Sequence, residues 1–154
     1  MKKITLICVG TIKEKYLIDA INEYKKRIQK FFELNIIEIP ESKLYSSQKD
    51  IEKALCEEGE KILQKAKNKQ IVSLCVEGKQ QTSEEFASFV GKKTDLGDLC
   101  FVIGSSFGLS KEVKENSINI SFSKLTFPHQ LMRVIFLEQL YRAGTIINNV
   151  VYHK

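Results

Sequence analysis

Five short apolar runs, each closed by a glycine, a proline or a polar turn, alternate along this chain with stretches whose apolar residues recur every three or four positions. Residues 4–9, shut by Gly10, are too few for an ordinary helix and rich in Ile, Thr and Val, so they read as a buried strand. Residues 33–39 before Pro40, residues 70–77 before Gly78, residues 99–103 before Gly104, and residues 118–122 repeat the pattern. Between them Leu17, Ile21, Tyr24, Ile28 and Phe31 make one helical stripe, with Lys25, Lys26, Arg27 and Lys30 between or beyond them; Ile51, Leu55, Ile62 and Ala66 make another. Thr82 and Glu85 have capping-box spacing ahead of a short helix through Phe86 and Val90, residues 95–98 read as a turn, and Ser110 is placed to cap a brief helix through Val113. Strands alternating with helices predict a parallel α/β sheet covered on both faces, and 154 residues correspond to a single domain. The polar stretch 41–47 reads as a mobile surface loop.

The closing helix is different. From Pro128 in its first turn to Gly144, the residues Leu131, Met132, Val134, Ile135, Phe136, Leu137, Leu140 and Tyr141 point in nearly every direction around the axis. One sheet covers one side of a helix, so the spare apolar surface calls for a second partner, and a homodimer joined through this helix is expected.

Composition narrows the function classes. With 43% hydrophobic and 28% charged residues and only two prolines, the chain is of the soluble globular type, neither disordered nor collagen-like. The formal charge of +5 suits a polyanionic partner and suits an enzyme of neutral substrates equally well. Cys8, Cys56, Cys75 and Cys100 form no C-x-x-C pair, and three of them lie in strand-like runs, where a thiol acts as a small hydrophobe. Neither H-E-x-x-H nor G-x-S-x-G occurs, so no metal and no serine triad are expected. The first apolar run is too short for a secretion signal and no run approaches a membrane span, which points to a reduced, cytoplasmic setting.

Three places can carry chemistry. The loop Gly104-Ser105-Ser106-Phe107-Gly108 follows a strand, on the edge where open α/β sheets bind ligands; it is neither G-x-G-x-x-G nor a P-loop, and it reads either as a ligand loop or as a tight turn. The segment from Phe122 to Gln130 follows the last strand; His129, near a helix N-terminus that disfavours imidazolium, is either a hydrogen-bonding group or a capping residue. The tail Tyr152-His153-Lys154, with Arg142 upstream, offers a phenol, an imidazole and two cations, suited to stacking on bases and neutralising phosphate, or else is a solvated basic end.

Taken together, Leu74-Cys75-Val76-Glu77-Gly78-Lys79, Phe101-Val102-Ile103-Gly104-Ser105-Ser106-Phe107-Gly108-Leu109, Leu125-Thr126-Phe127-Pro128-His129-Gln130-Leu131-Met132-Arg133, Glu138-Gln139-Leu140-Tyr141-Arg142-Ala143 and the final Tyr152-His153-Lys154 closely resemble one family. It is the ribosomal RNA large subunit methyltransferase H family, within the SPOUT class, and the resemblance spans essentially the whole chain. It implies one domain over residues 1–154, with the cofactor-binding part, about residues 70–154, threaded into a C-terminal trefoil knot. S-adenosylmethionine is then expected among Leu74, Gly104, Phe122, Ser123, Lys124, Leu125, Thr126 and Phe127. The family works as a homodimer, each site completed by the other subunit. Its reaction is methylation of N3 of a pseudouridine in the helix 69 loop of 23S ribosomal RNA on assembled ribosomes. His153 and Tyr152 are the implied groups that orient or deprotonate the base, Arg142 and Lys154 those that hold phosphate or the developing anion, and His129 a group that structures the knot loop.

Three features depart from the family pattern: Ser105 stands where a second glycine is common, residues 148–151 replace Arg-Gly followed by a small residue or Pro, and Gly144 stands where a large aromatic is usual and is expected to loosen the helix end. Two other readings compete. A ribosome-associated RNA-binding factor without catalysis would bind RNA and not S-adenosylmethionine; an unrelated nucleotide enzyme would need a phosphate cradle, which the sequence lacks.

Overall fold

The computed structural model describes residues 1–42 and 46–154; the mobile loop expected at 41–47 lies partly outside the described residues. The five apolar runs are all strands, and the elements follow in the order β1 (Lys3–Val9), α1 (Lys15–Ile28), β2 (Glu33–Ile39), α2 (Gln48–Lys65), β3 (Gln70–Gln80), α3 (Ser83–Leu96), β4 (Leu99–Ile103), α4 (Lys111–Glu115), β5 (Ile118–Ser121) and α5 (His129–Ile147). They form one sheet of order β2-β1-β4-β3-β5 in which every pairing is parallel. Parallel neighbours need crossover connections, and the amphipathic stretches supply them.

The period of two along each strand divides the core into two layers. Leu99, Phe101 and Ile103 of β4 join Ile4, Leu6 and Cys8 of β1 against α1, α3 and α5. Cys100 and Val102 join Ile7 and Val9 on the opposite face, under Ile62 and Ala66 of α2 and its extension and Val113 of α4. On the first face the rings of Phe86, Phe101, Phe122 and Phe136 pack together, with Phe101 and Phe136 centroids 4.7 Å apart. The caps form as expected: the Glu85 amide donates to Thr82 Oγ1 at 3.1 Å and the Thr82 amide to Glu85 Oε1 at 2.9 Å, while Ser110 Oγ accepts from the Val113 amide at 3.2 Å.

The differences from expectation lie at glycines and element ends. Gly78 does not stop β3, which continues to Gln80 with a register shift against β5 between Leu74 and Lys79. A Cβ there would sit 2.6 Å from the Ile120 backbone, so the glycine admits the neighbouring strand instead of ending its own. The residues read as a turn at 95–98 are partly helical, since α3 runs to Leu96. Phe31 belongs to the turn after α1, and α5 passes Gly144 without loosening. Gly144 is buried, and a Cβ on it would meet the Phe31 ring at 2.5 Å; the missing side chain is the space that ring fills.

One polar contact fixes α5 on the sheet. Arg133 is 4% exposed, and its guanidinium donates to Glu38 at 2.6 Å and to the Gly10 carbonyl at 3.1 Å, joining the helix to the C-terminal ends of β2 and β1. A buried cation is tolerated only when paired in this way.

Replacing Gly144 by alanine should gain up to about 1 kcal/mol in helix preference and lose about 1–3 kcal/mol to overpacking against Phe31. The expected outcome is a net loss of about 1 kcal/mol, read as a lower urea midpoint at unchanged m-value. A raised midpoint would contradict the contact.

Candidate active site

The C-terminal ends of β3, β4 and β5 open into a cleft of about 660 Å³, within the range of small-ligand sites and at the edge where parallel sheets bind them. Three chain segments wall it: the middle of β3 from Leu74 to Glu77, the loop after β4, and the segment between β5 and α5. Of the expected cofactor residues, Leu74, Gly104, Phe122, Ser123, Leu125, Thr126 and Phe127 line the cleft; Lys124 is exposed and does not. His129 and Met132 of α5 close one side.

The β4 loop is tight because it has no room to be otherwise. A Cβ on Gly104 would overlap the Gly108 carbonyl oxygen, and Gly108 itself has φ +86°, a conformation side chains disfavour. The Gly108 amide donates to the Ser105 carbonyl at 2.9 Å, and Ser105 Oγ accepts from the Phe107 amide at 3.3 Å, so the departure at Ser105 is absorbed inside the turn. In the next segment Ser121 Oγ donates to the Ser123 carbonyl at 2.9 Å and Ser123 Oγ accepts from the Leu125 amide at 3.0 Å, which shapes that wall by local turns. At the rim Lys114 and Glu77 pair at 2.5 Å, and the hydrogen bond from Lys114 holds the Glu77 carboxyl below its usual range. Val76, Phe107 and Leu125 leave apolar surface at the mouth.

The tail is docked, not frayed. Asn149, at φ 55°, turns the chain after α5, and the Val150 amide donates to the Thr145 carbonyl at 2.9 Å. The Tyr152 ring then meets Tyr141 edge-on, with centroids 4.8 Å apart, beneath the Arg142 guanidinium at 4.8 Å. Arg142 pairs with Glu138 at 2.8 Å and reaches His153 Nδ1 at 3.1 Å, while His153 Nε2 lies 2.6 Å from Glu84 Oε1 of α3. A guanidinium can only donate, so Nδ1 accepts and the neutral imidazole carries its proton on Nε2, donated to Glu84. That hydrogen bond is the main reason the Glu84 carboxyl lies below its usual range, and burial raises the Tyr152 hydroxyl.

Arg142, Tyr152 and His153 thus come together, but none of them lines the cleft. From residue 129 to residue 142, at the rise of a helix, α5 carries the chain about 20 Å. Between the two places a second cavity of about 210 Å³, lined by Gln81, Ser83, Ile135 and Gln139, shares Phe122 and Phe127 with the cleft. Along the same helix Leu131 is exposed and Val134 and Ile135 are half-buried, so the apolar surface noted in the sequence is only partly covered.

Glu84 and Glu138, which hold the tail, and the buried Arg133, which fixes α5, are residues that the sequence reading did not single out. Glu138 and Arg142 are four apart, a visible helical ion-pair spacing, and Arg133 is a charge among apolar helix positions. Nothing in the order of residues connects Glu84 with His153. Among the described residues no group of three or more His, Cys, Asp or Glu is placed to hold a metal ion, and no helix is long and apolar enough to cross a membrane.

Residues 1–153 match the family described as "Predicted SPOUT methyltransferase", and the chain belongs to that methyltransferase family. A chain from Methanococcus maripaludis is 50% identical over 157 residues, covering 98% of this chain and 99% of its own length. The ribosomal RNA large subunit methyltransferase H of Clostridium novyi is 48% identical over 160 residues, and that of Streptococcus uberis 46% identical over 158, each covering 98–99% of both chains.

Burial pushes the Cys8 and Cys100 thiols up to about 12 and raises Cys75 as well, whereas Cys56 is exposed on α2. With Ellman's reagent at pH 8, Cys56 should react first and the cleft residue Cys75 more slowly. Cys8 and Cys100 should react only after unfolding, as mapped by mass spectrometry. Fast native modification of either buried thiol would contradict the packing.

Proposed function

We propose that this chain transfers a methyl group from S-adenosylmethionine to N3 of a pseudouridine in the helix 69 loop of 23S ribosomal RNA on assembled ribosomes, as a homodimer whose two sites each draw on both subunits. The observation that carries the reading is the cleft at the strand ends: residues matching the family's cofactor motif converge there from three separate segments, and Gly104 lets the β4 loop close on itself, with the Gly108 carbonyl standing where a side chain would be. The relatives named above supply the RNA. The trefoil threading belongs to the same reading. It is supported by the path of the chain after the edge strand β5, which shares a wall with the loops of β3 and β4 before α5 returns to pack on α1 and α3.

The cleft suits the proposed donor. Leu74, Phe122, Leu125 and Phe127 offer apolar walls for a nucleoside, while the tight backbone of the β4 loop leaves polar groups close at hand. When bound, S-adenosylmethionine supplies a methyl group activated by its sulfonium. The protein's task is then to hold the target nitrogen in line and to remove its proton.

His153 suits the second task. Its Nδ1 lone pair is occupied by Arg142, so an incoming N3–H can replace the guanidinium there. The proton passes to Nδ1, the imidazolium that forms is stabilised by Glu84 across Nε2, and the displaced Arg142 is freed for phosphate or the imide oxygens. Because about 20 Å of α5 separates this group from its own cleft, the tail serves the cleft of a second subunit, and the half-covered face of α5 provides the contact.

The direct test is transfer of labelled methyl from S-adenosylmethionine to assembled ribosomes lacking the modification, with free ribosomal RNA in parallel and the product nucleoside identified. Label on N3 of pseudouridine in ribosomes alone supports the donor, the target and the assembled substrate together; ribosome association without transfer moves the chain to a non-catalytic role.

His153→Ala should slow transfer by about 10²–10⁴ while leaving cofactor affinity within about twofold. Equal loss of both counts against the assignment. Mixing Gly104→Val subunits with His153→Ala subunits should restore about a quarter of wild-type activity, because only mixed dimers contain one intact composite site. No recovery, with mixed dimers shown to form, would place both halves of the site in one subunit.

A further inference from the structure

The docked tail is one end of a longer row of cations and rings. Arg27 of α1 lies with its guanidinium carbon 5.3 Å from the Tyr24 centroid and 5.9 Å from that of Tyr141. Tyr141 meets Tyr152, and Tyr152 lies beneath Arg142, so Tyr24, Arg27, Tyr141, Tyr152 and Arg142 form one continuous row from α1 to His153. Two further cations stand at the α1 end: Lys26 precedes Arg27, and Lys30 follows one turn later, both exposed and neither with a salt-bridge partner among the described residues. The nearby acids are committed elsewhere, Glu23 to Arg27 at 2.9 Å and Glu138 to Arg142.

A basic last turn favours the helix dipole, and that accounts for some of this charge. It does not account for Lys30, which lies beyond the helix, nor for a guanidinium placed between two tyrosines. Arginine stacked on rings keeps its outer N–H groups for phosphate, and unpaired lysines beside it add charge along the same line. Aromatic rings set among cations are the surface that single-stranded RNA takes, whereas an acidic protein surface would need no rings.

We propose that the end of α1, through Lys26, Arg27 and Lys30, is a docking surface for the phosphates of the RNA strand leading to the target nucleotide, carried by the same subunit whose tail enters the site. The strand then runs from the lysines along the arginine–tyrosine row toward His153. This rests on the reading of the tail as part of an RNA-modifying site.

The test measures binding separately from methylation. Affinity for free 23S ribosomal RNA is followed by filter binding between 50 and 200 mM salt, for wild type, for Lys26→Gln with Lys30→Gln, and for Lys61→Gln with Lys65→Gln, two exposed lysines of α2 on the other side of the sheet. Each lost phosphate contact on single-stranded RNA reduces the slope of log affinity against log salt by about 0.7, so the α1 pair should flatten it by about 1.4 and the α2 pair should leave it unchanged. Circular dichroism confirms that each variant is folded. An equal change for both pairs means that net charge alone matters and overturns the proposal, as does no change for the α1 pair. Weaker ribosome association with an unchanged slope on free RNA would assign the surface to a ribosomal protein and overturn it too. Wild-type methyl transfer, scored independently, decides the proposed activity and leaves the slope to decide the docking surface.

Discussion

Burial of β4 on both faces is the constraint from which the rest of the structure follows. Leu99, Phe101 and Ile103 need one apolar layer and Cys100 and Val102 another, so helices must cover both sides of the sheet. Parallel pairing with β1 and β3 then requires long crossovers and brings the C-terminal ends of the strands to a common edge. Since β4 is the central strand, its end opens at the middle of that edge, and the loop from Gly104 to Gly108 faces β3 and the segment after β5 across the cleft. The cleft is thus a consequence of how the core is layered.

Helix α5 meets a harder set of demands. It must cover β4 and pack against α1 and α3 while keeping its first turn at the cleft and bringing Arg142 to the tail. Phe136, Leu137, Leu140 and Ala143 satisfy the first demand by apolar burial. Arg133 satisfies the second by a different means, since the Gly10 carbonyl and Glu38 fix where along the sheet edge the helix begins. Apolar packing alone is non-directional. A buried charge with two specific partners gives the helix one register, and the rim of the site inherits it.

Much of this was legible because apolar period and glycine position speak directly to strands, helices and strand-end loops. Gly104 announced a loop at the ligand edge, and the loop lines the cleft. What escaped was whatever depends on approach between distant segments. Gly78 reads as a stop until Ile120 is seen pressed against it. Lys124 sits among cleft residues in sequence, but the local turns through Ser123 leave it in solvent. The tail's docking depended on Glu84, which lies on another helix and whose only signal along the chain is a place in the first turn of α3. The motif that marked the tail could not say that the tail and the cleft lie apart on one chain.

Gly144 and Phe31 carry a last consequence. Gly144 has no side chain, and the ring that fills the space beside it comes from the end of α1. The two positions are therefore coupled across helices: a side chain added at 144 needs a smaller residue at 31, and a smaller residue at 31 with the glycine kept leaves a void between α1 and α5.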